Sequence, residues 1–338
     1  MKKLRVLVLV HPTLVPPESL VGQSKDDIFR WKTEYSVVQT QRAMGHEARP
    51  LGVQYELLPI REMVDEWDPH IVFNLLEEFH GISEFDQHVV SYLELLQIPH
   101  SGCNPRGLTI ARDKALSKKI AAYHRIHAPR FATFPKRRKV RRTSELTFPL
   151  IVKSLTEEAS LGISQASVVH TDDELTERVA FVHERIGSDA IAEQFIAGRE
   201  LYVGAYGNDR VTVLPVWELL FENLAPGAAA IATERVKHDA RYQEERGIYQ
   251  QQAENLSDAR IDRIHRTTRR LYKLLHLSGY ARIDYRLRDD GALFFLEANP
   301  NPEIAPEEEF ASAAAATGLE YEELLQKLLH LGLRAARD

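Results

Sequence analysis

ARIDYRLRDDGALFFLEAN, residues 281–299, carries the strongest structural signal in the chain. Two runs of alternating polar and apolar residues flank the dipeptide Asp290-Gly291. This dipeptide is typical of a two-residue type I′ turn, in which both central residues have positive φ. The segment is therefore predicted to form an antiparallel hairpin with strands at 279–288 and 292–299.

The predicted turn also fixes which residues face each other. It places Asp284 opposite Glu297 and Arg282 opposite Asn299, and the strand period of two puts these four side chains on one face and Leu296 on the other. Directly opposed like charges are destabilising unless a cation lies between them, so Glu297→Gln is expected to leave the metal-free fold intact or slightly more stable. Oxygen ligands without histidine or cysteine favour magnesium or manganese. A solvated face neutralised by arginines of the same strand is the alternative.

Composition limits the class of protein. The 338 residues are 44% hydrophobic and 27% charged, which is enough for two or three globular domains. A net charge of -6 makes nucleic acid a poor candidate partner. The single cysteine, Cys103, excludes an intrachain disulfide, and no apolar run reaches membrane-spanning length. We expect a cytoplasmic protein that acts on small molecules.

The pattern of strands and helices divides the chain into three predicted domains. Residues 1–105 alternate strand and helix and indicate an open α/β domain. Residues 106–197 predict a compact α+β unit, and residues 198–338 contain the hairpin. A polar stretch at 223–255 has no clear pattern, and structureless loops of that length are usually functional.

Several motifs together resemble the ATP-grasp superfamily, specifically its D-alanine:D-alanine ligase branch. The hairpin motifs Arg282-Ile283-Asp284 and Phe295-Leu296-Glu297-Ala298-Asn299-Pro300 resemble the metal-binding end of these enzymes. Four other segments match in the family's order: 112–114, 149–153, 192–200 and 236–237. The resemblance covers residues 73–333. It implies a multidomain α/β and α+β protein, with an ATP-grasp fold after an N-terminal open α/β domain.

The resemblance implies a role for each matched residue. It assigns ATP binding to Lys114, Lys153, Ser160, Glu193, Gln194, Ile196 and Glu200. It assigns the metal, Mg²⁺ or Mn²⁺, to Asp284, Glu297 and Asn299. Arg282 would stabilise an acyl phosphate, and Lys237 would act in phosphoryl transfer.

The implied function is an ADP-forming ligase that joins a carboxylate to an amine through an acyl phosphate, working as a homodimer on small molecules. A phosphotransferase of the same fold and a nucleotide-binding regulator without turnover are the alternatives. A dehydrogenase is disfavoured because no Gly-x-Gly-x-x-Gly follows the first strand.

The chain departs from the family pattern at several places, including the phosphate-covering loop and the segment after the hairpin. The phosphate-covering loop has Glu158 and Ala159, where the family carries glycine and serine. Glu308 falls at a serine that holds the second substrate's carboxylate in the family, so we predict that D-alanine is not the acceptor. Glutamates after Pro306 also suit a helix N-terminus, which is the alternative for Glu308.

Overall fold

Three β-sheets of three, four and five strands organise the described part of the chain. They are seen in a computed structural model, which describes residues 3–157 and 160–336. No helix in these two ranges is both long enough and apolar enough to cross a membrane.

The first sheet is parallel, with strand order β2-β1-β3. Its strands are β1 (Arg5–Val10), β2 (Glu47–Gly52) and β3 (Ile71–Asn74), and its helices are α1 (Lys25–Arg30), α2 (Lys32–Ala43), α3 (Leu58–Trp67) and α4 (Asp86–Leu95). Residues 6–10 are buried, as expected for a strand covered on both faces. The sequence indicates an open α/β unit here, and the parallel sheet confirms it.

Two helices and a four-stranded sheet follow. Helices α5 (Pro105–Arg112) and α6 (Lys114–Tyr123) precede strands β4 (Phe131–Phe134), β5 (Leu150–Ser154), β6 (Val168–Val169) and β7 (Ala190–Gln194), with α7 (Asp172–Phe181) before β7. The sheet is antiparallel in the order β4-β7-β5-β6. Leu108 and Ala121 of the two helices share a core cluster with Ile283 in the following sheet. The domain boundary near residue 106 stays a prediction.

The third sheet is antiparallel and has the order β10-β9-β8-β11-β12. Its strands are β8 (Arg199–Tyr206), β9 (Thr212–Phe221), β10 (Ile248–Gln252), β11 (Tyr280–Leu287) and β12 (Leu293–Asn299); the helices of this part are α8 (Glu234–His238), α9 (Ala240–Arg246), α10 (Asp258–Leu274), α11 (Glu309–Ala315) and α12 (Tyr321–Ala335). One sheet face packs against α10, and the other carries the polar residues of the candidate site.

The stretch 223–255 is more ordered than its sequence pattern predicts. It contains α8, α9 and β10, and β10 pairs with β9 along five residues. Thr233 caps α8 by accepting a hydrogen bond from Val236 N–H, and Asp239 caps α9 in the same way through Tyr242 N–H. These capped helices are too short for apolar periodicity to be visible.

The hairpin has the predicted residue pairs near its open end but a different turn. Gly291 has a φ of 82°, its N–H donates to Arg288 O at 2.9 Å, and Arg288 N–H donates to Ala292 O at 3.0 Å. The loop therefore has three residues instead of the predicted two, which changes the pairing near the turn by one residue.

A β-bulge then restores the predicted register. Tyr285 pairs with Phe295 but Asp284 pairs with Glu297, so Leu296 is an extra residue in β12. The bulge also corrects our placement of Leu296, which lines the same cavity as Glu297 instead of lying on the opposite face. The opposition of Asp284 and Glu297 is confirmed, although the turn type was wrong.

Candidate nucleotide site

A cavity lies between the four-stranded and five-stranded sheets, and most predicted site residues line it. They are Lys153, Ser160, Glu193, Gln194, Ile196, Glu200, Lys237, Asp284 and Glu297. The three others adjoin it: Lys114 Nζ is 3.9 Å from Glu297 Oε2, and Arg282 and Asn299 are paired across the hairpin. The structure thus brings all twelve predicted side chains into one region, while their roles stay predictions.

Lysines and carboxylates alternate at one end of the cavity. Lys153 Nζ is 3.4 Å from Glu297 Oε2 and 3.3 Å from Glu193 Oε1, and Lys118 Nζ is 2.9 Å from Glu193 Oε1. Burial alone raises the pKa of Glu297, but Lys153, Lys114 and Lys237 outweigh it and hold that pKa well below its usual range. Glu297 is thus ionised.

Sequence reasoning missed Lys118. Its side chain is fully buried on α6, one helical turn after Lys114, and its ammonium also donates to Leu296 O in the bulge. Burial lowers its pKa to about 8, with Glu193 opposing that shift. The four-residue spacing from Lys114 was the available signal, because residues at that spacing share a helix face.

Arg282 is held between two carboxylates. Its guanidinium donates to both oxygens of Asp284, at 2.7 and 2.9 Å, and also contacts Glu309 at the start of α11. Burial works against the charge of Arg282, but Asp284 outweighs it and raises the arginine pKa. Burial raises the pKa of Asp284, with Arg282 opposing that shift. The Glu309 contact was not foreseen from sequence.

These ion pairs change the expected effect of Glu297→Gln. The like-charge contact with Asp284 exists, but lysines surround Glu297 and Arg282 neutralises Asp284. Removing the Glu297 charge would take one carboxylate away from this group of lysines, so we now expect a loss of stability instead of a neutral effect or a small gain.

Oxygen atoms gather at the end of the cavity that contains Asp284 and Glu297. Within residues 3–157 and 160–336, no group of three or more His, Cys, Asp or Glu side chains is placed to hold a metal ion by itself. Two opposed carboxylates and the amide oxygen of Asn299, which already accepts from Asn301 N–H at 2.9 Å, are an incomplete oxygen set. Such a set fits Mg²⁺, which commonly combines one or two carboxylates with substrate phosphates and water.

At the other end, Glu200 is anchored by two neighbours. Arg286 donates to Glu200 Oε2 at 2.6 Å, and the Tyr202 hydroxyl donates to Glu200 Oε1 at 2.9 Å. Arg286 also donates to the carbonyls of Gly198 and Ala230, so it ties β11 to the segment that precedes α8. Arg286 was missed as a site residue, although it shares the strand face of Asp284.

The segment after β7 supplies an apolar wall and backbone groups. Gln194 N–H donates to Arg130 O at 2.8 Å, and Phe195 N–H donates to Pro149 O at 3.0 Å. Those two donors are already used, so the carbonyl of Gln194 and the backbone of Ile196 are the candidates for an adenine edge. The carboxylate of Glu193 points towards Lys118 and Lys153.

Two segments, one with Gly162 and Ile163 and the other with Glu234 of α8, close over the cavity and contact each other. Gly162 N–H donates to Glu234 Oε2 at 2.8 Å, and Glu234 N–H donates to Ile163 O at 3.0 Å. The cavity holds about 70 Å³, below the roughly 300–1,000 Å³ of ligand pockets. These two segments must therefore separate to admit a nucleotide. Glu158 and Ala159 lie outside the described residues.

Glu308 has a partner from the first sheet's helices. It is the N-cap residue of α11, and its carboxylate pairs with Lys32 of α2, which is also 3.1 Å from Glu303. The position at a helix terminus agrees with the alternative stated for this residue. The pairing also offsets the negative charge on which the acceptor prediction rests.

The fold, the lysine cluster and the opposed carboxylates define the class as ATP-grasp. The family model described as the D-ala D-ala ligase C-terminus matches residues 115–330. This chain belongs to the D-alanine–D-alanine ligase family, whose members are ATP-dependent ligases that form carbon–nitrogen bonds.

Individual relatives agree with this assignment. The chain is 32% identical over 267 residues to a D-alanine–D-alanine ligase from Desulfotalea psychrophila, covering 76% of this chain and 77% of that protein. It is 30% identical to the uncharacterized protein y4sG from Sinorhizobium fredii, with 88% and 87% covered. The structure of the Bacillus anthracis D-alanine–D-alanine ligase complexed with ATP has the same fold, at a TM-score of 0.74, 23% identity and 99% coverage of both chains.

Proposed function

We propose that this protein is an ADP-forming ligase that joins a carboxylate to an amine, with a substrate pocket altered from that of D-alanine–D-alanine ligases. The observation that carries the proposal is the meeting of Lys114, Lys153 and Lys237 with Asp284 and Glu297 around one covered cavity. Three cations beside two opposed carboxylates suit a triphosphate and its metal ion. The ATP complex of the related fold supports the same nucleotide.

The proposed reaction has two steps. A carboxylate oxygen attacks the γ-phosphorus of ATP, so that ADP leaves and an acyl phosphate forms. The amine then attacks the acyl carbon, the amide bond forms, and inorganic phosphate leaves with the carbon–oxygen bond electrons while the amine loses a proton. No side-chain nucleophile is required.

Each group around the cavity has a proposed role in these steps. Lys114 and Lys153 would neutralise phosphate oxygens, and Lys237, which lies in α8 over the cavity, would act as transfer proceeds. Magnesium bound by Asp284, Glu297 and Asn299 would offset the charge that develops on the phosphates. Arg282 would stabilise the acyl phosphate and the oxyanion that follows.

We propose an acceptor other than D-alanine because of the segment after the metal ligands. Glu303 and Glu308 put two carboxylates there, and Lys32 is the cation that contacts both. The family's neutral serine is therefore replaced by a charged pair. An acceptor with a free carboxylate would have to compete with Glu308 for Lys32.

ADP release is the deciding measurement. We expect ATP turnover only when a carboxylate and an amine are both supplied, and little turnover with D-alanine alone. Efficient D-alanyl-D-alanine synthesis would refute the altered acceptor but not the ligase. ADP release that needs a hydroxyl compound and no amine would favour the phosphotransferase alternative, while ATP binding without any turnover would favour the regulator.

Two further parts of the proposal concern organisation. The resemblance favours a homodimer, which sedimentation equilibrium would test. The division at residues 105 and 197 would be tested by limited proteolysis, since cleavage is expected between domains and not within the β-sheets.

A further inference from the structure

An open groove of about 400 Å³ lies beside the C-terminal half of α10, and its lining is Asp209, Arg210, Val211, Arg269, Arg270 and Lys273. It is separate from the nucleotide cavity. Neighbouring strand residues point to opposite sheet faces. Leu201 belongs to the same core cluster as Leu271 of α10, whereas Tyr202 lines the nucleotide cavity. The groove therefore lies on the α10 side of the sheet.

The groove concentrates positive charge on a protein that is negative overall. Four cationic side chains and one carboxylate line it, whereas the whole chain has a formal charge of -6. Among the residues that the structure describes, no carboxylate lies within 4.0 Å of the charged nitrogens of Arg210, Arg269 or Lys273. These cations are thus available to an external anion.

The spacing of the cationic residues along α10 also favours binding of an anion. Arg266, Arg269, Arg270 and Lys273 are exposed and recur at intervals of three and four residues, which places like charges next to each other on one helix face. Such an arrangement is unfavourable in the absence of an anion. A bound anion would relieve it.

The other wall of the groove is held in place. Gly207 N–H donates to Gly279 O at 2.8 Å, and the buried Tyr272 hydroxyl donates to Gly207 O at 2.8 Å. Gly207 has a φ of 136°, and a Cβ there would lie 2.0 Å from Arg210 O. The turn that carries Asp209 and Arg210 is therefore fixed against α10, and its backbone has little freedom to move away.

We propose that this groove binds a small molecule that carries two or more adjacent phosphate groups. Guanidinium groups bind phosphate oxygens in pairs, and three of the lining cations are arginines. Among the described residues, none that lines the groove is aromatic, so nucleic acid bases have no ring on which to stack, and a volume of about 400 Å³ suits a small ligand. The inference does not depend on the ligase reaction.

Calorimetric titration with inorganic pyrophosphate at constant ionic strength and without nucleotide tests the proposal. All proteins carry Lys153→Ala, which is expected to weaken phosphate binding in the nucleotide cavity. We expect the protein with an intact groove to bind pyrophosphate under these conditions. The Arg269→Gln/Lys273→Gln variant should bind it about tenfold more weakly or worse. The matched control is Arg260→Gln/Arg263→Gln, which removes the same charge from the N-terminal half of α10, away from the groove, and should keep affinity within about threefold.

Two outcomes would overturn the proposal. One is the absence of pyrophosphate binding by the protein with an intact groove, and the other is an equal loss in both double variants, which would indicate non-specific attraction to α10. Thermal unfolding checks that each variant is folded. Should the groove variant fail to fold, Arg210→Gln on the exposed turn replaces it, and unchanged pyrophosphate affinity in that variant would also refute the proposal.

Discussion

Replacing Glu297 by Gln changes the charge of the candidate site without changing its size. The carboxylate lies 3.4 Å from Lys153 Nζ and 3.9 Å from Lys114 Nζ, and 27% of the side chain is exposed. Unit charges about 4 Å apart interact by about 4 kcal/mol at an effective dielectric constant near 20. Because solvent reaches the side chain and Gln needs less desolvation, we expect a net loss of stability of about 1–3 kcal/mol.

The same substitution should separate metal-dependent turnover from nucleotide binding. Without the carboxylate, the lysines have one negative charge fewer beside them, so ATP should bind more tightly in the absence of divalent cations, by roughly tenfold. ATP turnover with magnesium should be abolished, because one of the two opposed carboxylates is gone.

Denaturant unfolding, calorimetry with ATP and chelator, and ADP release measure these three quantities. The matched control is Glu218→Gln, which breaks an ion pair with Arg199 on the same sheet, outside the nucleotide cavity. It should lower stability while leaving turnover intact. Near-native turnover by Glu297→Gln would refute the metal-site assignment, and unchanged stability would refute the proposed neutralisation of the lysines.

Further predictions concern lysines and glutamates in and near the site. Lys153→Ala should weaken ATP binding at least about tenfold, whereas Lys237→Ala should mainly lower turnover. Calorimetry measures ATP binding and ADP release measures turnover. The reverse pattern would refute the assignment of Lys237 to a segment that closes over ATP. Burial, assisted by Glu303, raises the pKa of Glu34 to about 7. The stabilising contribution of the protonated Glu34 carboxyl is therefore fully present below about pH 4.5 and is lost as the pH rises through 7. In urea unfolding, Glu34→Gln should stabilise the protein by up to about 3 kcal/mol at pH 8 and should not stabilise it near pH 4.5. Glu308→Ser should leave Lys32 with Glu303 as its remaining carboxylate partner and increase turnover with carboxylate-bearing amines. An unchanged acceptor profile would limit Glu308 to its helix-terminus role.

Local sequence determined much of the candidate site. Alternation along β11 and β12 predicts which side chains share a face, because strand residues alternate regardless of their neighbours. The pairing of Asp284 with Glu297 was predicted from a turn that does not form. It was correct because a three-residue loop and the bulge at Leu296 have opposite effects on the register.

Only the tertiary structure decided how the charges of the site are balanced. Lys118 comes from α6, Glu309 from α11 and Lys32 from α2, and each pairs with a residue far away in the sequence. Nothing within one helix or strand specifies such a partner, since ion pairing depends on which elements pack together. The sequence by itself therefore determined the ATP-grasp class, the strand faces of the hairpin except at Leu296, and the candidate ligands. The packing of distant elements determined which carboxylate is neutralised by which cation, and with it the expected effect of every charge substitution in the site.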